Sequence, residues 1–146
     1  MQIKQIMTAN PKTVTSITRL GVVKDIYDEV QFHHLLVIED NQLVGVVSDR
    51  DLYKVISPYA DSPKGTKRDN MTLDLRVTKI MSRDIISLSE DETMMRAVHL
   101  FNTHRISCLP VVDEDNRPVG IVSWRDVMQY LEQRVMQNFK DKMKLD

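Results

Sequence analysis

Two tetrads hold the residue types from which a binding site can be assembled, Ser48-Asp49-Arg50-Asp51 and Ser123-Trp124-Arg125-Asp126. Each follows an apolar run and opens a helix-forming stretch. A serine three residues ahead of a carboxylate has capping-box spacing: its hydroxyl takes an amide of the first turn, and the carboxylate reaches back to the serine N–H. The same place has a second chemistry. A helix start presents unpaired N–H groups and a partial positive charge, which suit a phosphate. The serine hydroxyl can donate to that phosphate, and an ionised aspartate accepts two hydrogen bonds, which suits a ribose diol. The planar forks of Arg50 and Arg125 fit phosphate oxygens, or lie solvated in the first helical turn. The capping and ligand readings are compatible.

These tetrads belong to an internal duplication. Gly45-Val46-Val47-Ser48-Asp49-Arg50-Asp51-Leu52 returns as Gly120-Ile121-Val122-Ser123-Trp124-Arg125-Asp126-Val127, and the earlier Ile6-Met7-Thr8 returns as Ile80-Met81-Ser82. One residue is added between these landmarks in the second half. It falls in the turn Asp113 to Pro118, longer than Glu39 to Gln42. Each half starts with a short extended piece, at Thr13-Val14 and at Ile85 to Leu88. Helical spacing follows, through Leu20, Val23, Tyr27 and Val30, then through Met94, Ala97, Val98 and Phe101. Ser89 and Glu92 have capping-box spacing ahead of that second helix. Paired apolar runs come next, Leu35–Ile38 with Leu43–Val47, and Leu109–Val112 with Val119–Val122. Runs of this kind predict strands buried on both faces. The expected fold class is α/β (α+β), with two β-α-β-β-α repeats related by a pseudo-twofold axis. Neither repeat buries enough surface to be comfortable alone.

The expected boundaries are 1–57 for the first repeat, 58–76 for a linker or loop, 77–132 for the second repeat and 133–146 for a C-terminal helix extension. Two prolines, a glycine and many polar residues between Ser57 and Asn70 read as a solvated connection or a lid. In the last helix, Met128, Leu131, Val135 and Phe139 lie near one face. That face is expected either to pack on the repeats or to form a dimer contact.

The 146 residues are 42% hydrophobic and 28% charged, with a formal net charge of -1. That balance argues against a general nucleic-acid or anionic-membrane binder, which needs a basic face. The single cysteine, Cys108, forms no internal disulfide and fits a reducing compartment. No apolar run reaches the roughly 20 residues of a membrane span, and a signal-peptide pattern is absent. A cytoplasmic location follows as the expectation.

The duplicated Gly-hydrophobic-x-Ser-x-x-Asp, standing as Gly45, Ser48, Asp51 and as Gly120, Ser123, Asp126, resembles the nucleotide signature of the CBS-domain family. The stretches Ile6 to Val14 and His104 to Asp113 are similar to other parts of a CBS repeat. The resemblance implies a tandem CBS pair (a Bateman module) that binds AMP, ADP or ATP in two clefts, regulates a partner protein and dimerises. It implies no catalytic residue, no required cofactor and no metal. One cleft would join Ser48, Arg50 and Asp51 to Asp84, Ile85 and Ile86. The other would join Ser123, Arg125 and Asp126 to Asn10, Pro11, Lys12 and Thr13. Backbone there would read the adenine edge while Ile85, Val37 or Ile106 pack on its face. His104 and Arg105 would reach phosphates, or else serve as the cationic end of a helix. Two alternatives stay open: a structural dimerisation module with vestigial clefts, and a binder of another adenosyl ligand such as S-adenosylmethionine. Nucleic acid is a more distant possibility, and membrane insertion is not expected.

The halves differ at matched places: Asp49 against Trp124, Leu36 against Pro110, and His33-His34 against Ser107-Cys108. Trp124 can stack on a base or obstruct one. His104 and Cys108 are four apart, but a helix-to-strand change between them spoils a metal geometry. Cys108 reads as a small buried apolar residue, and the paired methionines as core filling. Asp113 to Asn116 reads as a solvated turn.

Overall fold

The computed structural model describes residues 1–144. In chain order the strands are β1 (Thr8–Ala9), β2 (Thr13–Thr15), β3 (His34–Glu39), β4 (Gln42–Ser48), β5 (Cys108–Val112) and β6 (Pro118–Ser123). The helices are α1 (Leu20–Glu29), α2 (Asp49–Tyr53), α3 (Lys67–Met71), α4 (Met94–His104) and α5 (Trp124–Lys144). The architecture is α+β and duplicated, as the sequence predicts.

Two compact units form, and they do not coincide with the sequence repeats. One is Pro11–Ile85; the other combines Met1–Asn10 with Ile86 onward. The lead-in of each repeat has been exchanged. In the first unit β2 runs parallel to β3, and β3 pairs antiparallel with β4. The outer side of β4 is closed by Ser82, whose N–H donates to Val46 O at 2.8 Å and whose carbonyl accepts from Val46 N at 3.0 Å. In the second unit β1, from the N-terminus, pairs antiparallel with β6, with Thr8 opposite Ile121, and β6 pairs with β5. Leu88 then bridges Val111 in parallel, as β2 does with β3.

Both hairpins carry a register irregularity at equivalent points, Val37/Ile38 and Val111/Val112. They differ in the turn. Asp40 and Asn41 take φ of 51° and 65°, as a two-residue hairpin loop of the tight type requires. The second turn is longer, and the Asp113 carboxylate accepts from the amides of Asp115 and Arg117, each at 2.9 Å. The extra residue therefore sits where the repeat offset places it.

Apolar side chains fill a separate core in each unit. Leu20, Val23, Leu35, Val37, Val47, Leu52 and Val77 are fully buried in the first; Ile3, Ala97, Leu109, Val111 and Val122 are fully buried in the second. Burying a side chain of the Val or Leu class contributes roughly 1.5–3 kcal/mol, so the exchanged residues Ile3 and Val77 are integral to the units they join.

One local expectation changes and two are made more specific. The cap of α4 is Thr93, whose hydroxyl accepts from Arg96 N at 3.2 Å. Ser89 and Glu92 close a turn upstream instead, with Ser89 N–H donating to Glu92 Oε2 at 2.8 Å. The stretch after Ser57 is structured: α3 has a Thr66–Asp69 capping box, and Ser57 Oγ donates to Asp69 Oδ1 at 2.8 Å. Finally, the α5 side chains from Leu131 to Lys144 are all exposed, so the extension does not pack on the unit that bears it. Positions 145 and 146 of the expected extension lie outside the described residues. No helix among the described residues is long and apolar enough to cross a membrane.

Candidate functional site

In the first unit β4 ends at Ser48, whose extended backbone (φ -94°, ψ 162°) turns the chain into α2. Asp51 N–H donates to Ser48 Oγ at 3.1 Å, and Ser48 N–H donates to Asp51 Oδ2 at 2.9 Å. The capping box predicted from spacing is closed. It fixes both side chains at the strand end and leaves Asp51 Oδ1 outside the box. Helix α2 is only five residues long. His33 stands beside it, with Nδ1 2.7 Å from Asp49 Oδ2, and the His33 carbonyl accepts from Asp49 N–H at 3.0 Å. His34 pairs with Ser48 across the ladder. Burial pushes its imidazole below the usual value of 6.5, against the attraction of Asp49.

The second unit repeats the frame with different side chains. Ser123 N–H donates to Asp126 Oδ2 at 2.7 Å, Ser123 Oγ lies 3.1 Å from the same oxygen, and Asp126 N–H donates to Ser123 Oγ at 3.2 Å. Here the helix that follows has 21 residues. Trp124 takes the place of Asp49, its ring 5.8 Å from the guanidinium carbon of Arg125, within cation–π range. Ser107 replaces His33, and its carbonyl accepts from Trp124 N–H at 3.2 Å. Cys108 pairs with Ser123 where His34 pairs with Ser48. Burial pushes the Cys108 thiol up to about 12, so it stays protonated near neutrality.

The glycines of the duplicated motif have a packing explanation. A Cβ added to Gly45 would sit 2.9 Å from Met81 Cγ, and one added to Gly120 would sit 3.0 Å from Met7 Cγ and 3.1 Å from the Thr8 carbonyl. Only glycine lets the exchanged methionine lie flat on the strand. Met81 and Met7 thereby anchor the segments that carry Asp84-Ile85 and Asn10 to the sheets bearing Ser48 and Ser123. Their recurrence at matched positions was a visible signal in the sequence; the exchange between units was not.

Ser48, Arg50, Asp51, Asp84 and Ile85 lie in the first unit, Ile86 in the second. Ser123, Arg125, Asp126, Asn10, His104, Arg105 and Ile106 lie in the second unit, whereas Pro11, Lys12 and Thr13 lie in the first. Lys12 O accepts from Leu36 N at 3.4 Å, and Thr13 is paired with Leu36. Asn10 adopts a left-handed φ of 52°, with its N–H on Val119 O at 3.3 Å. Val37 is fully buried in the first core and offers no face to a base; Ile85 and Ile106 are half-buried and can. His104 ends α4, and Arg105 is its left-handed cap (φ 54°), so the helix-terminus explanation of this pair is realised. The His33–Asp49 pair was missed, because two histidines before an apolar run read simply as the start of a strand.

The CBS-domain family matches residues 3–58 and 77–133, each match ending just beyond one of these junctions. This chain belongs to the CBS-domain family. Among curated relatives it is similar to the uncharacterized protein MJ1225 of Methanocaldococcus jannaschii, with 32% identity over 100 residues, 68% of this chain and 36% of that protein. The chain spans well under half the length of the first curated relatives it matches. Among solved structures it resembles the CBS domain pair of protein MJ0100 in complex with 5′-methylthioadenosine and S-adenosyl-L-methionine, at TM-score 0.75 and 24% identity, covering 92% of this chain and 98% of that one. It also resembles CBSX2 in complex with AMP, at TM-score 0.74 and 27% identity, covering 90% of this chain and 96% of that one. The tandem CBS repeats are thus a property of this chain, and the ligands are properties of those proteins.

Proposed function

We propose that this CBS pair is a non-catalytic regulatory module that binds an adenine nucleotide at its Ser-x-x-Asp junctions, pairs with a second copy and signals occupancy to a partner protein. One observation carries the reading: two strand-to-helix junctions hold serine and aspartate in the same closed box, each beside an exchanged segment anchored by a methionine on a glycine. The box serves the fold through one aspartate oxygen. The other oxygen is free to accept a ribose hydroxyl, and Arg50 or Arg125 supplies phosphate donors. Asp84 and Ile85 on the first unit, and Asn10 on the second, supply backbone groups for the base. Likeness to CBSX2 with AMP supports a nucleotide as the ligand.

Titration calorimetry with AMP, ADP and ATP tests this, with 5′-methylthioadenosine as an arm without phosphate. Saturable heat with a nucleotide, reduced by Asp51→Ala or Asp126→Ala, is the expected result. Absence of heat and of any thermal shift at millimolar nucleotide overturns it. The exposed apolar face of α5 favours one second reading, a dimerisation module whose junctions serve only the fold; such a protein dimerises and melts at one temperature whatever nucleotide is added.

A further inference from the structure

The family match ends at residue 133, whereas α5 runs on to Lys144. The added stretch, residues 134–144, is basic and two-sided. It sets Arg134, Lys140, Lys142 and Lys144 against Asp141 alone, a net +3 in a chain of net -1, so the other residues together carry -4. Val135, Met136, Phe139 and Met143 are 52% to 65% exposed, and at 3.6 residues per turn they fall within an arc of about 100°. Lys142 lies just outside one edge of that arc and Lys140 outside the other, each within about 40° of it. Gln137 and Asp141 stand on the opposite face, where Gln137 Nε2 donates to Asp141 Oδ1 at 2.9 Å. The one carboxylate is thereby held away from the apolar arc, and none of the four cations is in an ion pair among the described residues. Glu132 falls at the same angle as the stripe and separates it from Met128 and Leu131.

We infer that residues 134–144 dock on an anionic lipid surface, with the helix lying flat in the interface. Val135, Met136, Phe139 and Met143 enter the acyl boundary. Lys140 and Lys142 straddle them, with their stems over the apolar surface and their ammonium groups among the headgroups. The stretch does not cross the bilayer: its length is about 16 Å, against roughly 30 Å of hydrocarbon. A second copy is a poorer occupant here. Paired on itself in either direction, the stretch sets net +3 against net +3, and like charges in juxtaposition disfavour an interface. Trp124, Met128 and Leu131 are left to the second copy proposed above. An acidic protein groove would match the charge, but cations along both edges of a narrow apolar arc suit a plane better than a groove that encloses the helix. The overall balance of charge, which argues against a general membrane binder, hides this local face.

The test is flotation of the full chain with phosphatidylcholine vesicles, with and without about 30% phosphatidylserine. The expected result is binding to the anionic vesicles alone, falling about tenfold between roughly 50 and 500 mM salt as the charges are screened. Phe139→Ser and, separately, Lys140→Glu with Lys142→Glu should each weaken that binding about tenfold or more, while Lys140→Arg with Lys142→Arg keeps it. These side chains are exposed, so circular dichroism and the melting temperature should stay as in the wild type. Nucleotide calorimetry on the same variants should also match the wild type, which separates this inference from the nucleotide reading. A wild type that stays out of the vesicle fraction at millimolar lipid overturns the inference, whether light scattering then shows a second copy on the stripe or polyglutamate binding shows an acidic partner. Equal binding to neutral and anionic vesicles overturns it too, as does binding that survives the charge reversal.

Discussion

The two strand-to-helix junctions share a backbone and a capping box and differ in the side chains beside it and in the length of the helix that follows. At the first, Asp49 sits in the opening turn of a five-residue helix and is held by His33 at 2.7 Å. At the second, Trp124 opens a 21-residue helix under the guanidinium of Arg125. The Ser-x-x-Asp box is closed in both. The duplicated part is therefore what the fold needs, a capped helix start on a glycine-bearing strand. The divergent part sets the local charge. An extra carboxylate at the first junction opposes an anion, and a longer helix at the second offers it a fuller dipole. Divergence is concentrated beside the cap, and identity where the strand must turn.

The largest expected effects break the shared part unequally. Gly45→Ala and Gly120→Ala should each destabilise the protein by about 1–3 kcal/mol through overpacking, read by urea denaturation. Gly120→Ala should cost more. Its new Cβ meets the Thr8 carbonyl as well as Met7, whereas at Gly45 only the flexible Met81 side chain is in the way. Equal costs would show that the backbone contact is immaterial.

Opposite pH responses should distinguish position 34 from its counterpart 108. Folding holds His34 neutral, so the unfolded chain takes up its proton first. Stability from this site is full above the ordinary value of 6.5, falls as pH drops through it and is gone below the depressed folded value. Asn in place of His34 should flatten the acid limb of a stability profile between pH 7 and 5. Cys108 acts at the other end. Its unfolded thiol ionises near 9.0 and the folded one only at about 12, so stability declines as pH rises across that window. Cys108→Ala should remove that alkaline decline, and thiol labelling of the native protein at pH 7.5 should be slow until denaturant is added.

Much of this comparison was already written in the chain. The repeat, the paired apolar runs and both capping boxes could be read from spacing, because a strand pair and a helix start are local matters. The exchange of lead-ins could not. Thr8–Ala9 is a two-residue strand whose partner is chosen by tertiary packing, through Met7 on Gly120. Ser89 has the spacing of a cap, but Thr93 caps the helix and Ser89 closes the turn before it. The segment after Ser57 was read through its prolines and glycine, although Thr66 and Asp69 carry the same box spacing that revealed the junctions.

Smaller effects should follow from the caps. Ser48→Ala and Ser123→Ala should each cost about 1 kcal/mol in thermal or chemical unfolding. A marked excess at position 123 would show that the long helix depends more on its cap than the short one. Smallest of all, Arg105→Gly should raise stability by about 0.5–1 kcal/mol, since the cap of α4 holds a left-handed φ of 54° that glycine adopts without strain.

The most direct measurement is an amide NMR titration of the intact protein with AMP. If nucleotide sits at the junctions, the amides of Ser48 to Asp51 and of Ser123 to Asp126 shift and saturate, together with Ile85 and Asn10, while the hairpin turn at Asp40 and Asn41 stays still. Should saturating AMP leave both sets unmoved, or perturb only residues remote from them, nucleotide recognition by these junctions is contradicted.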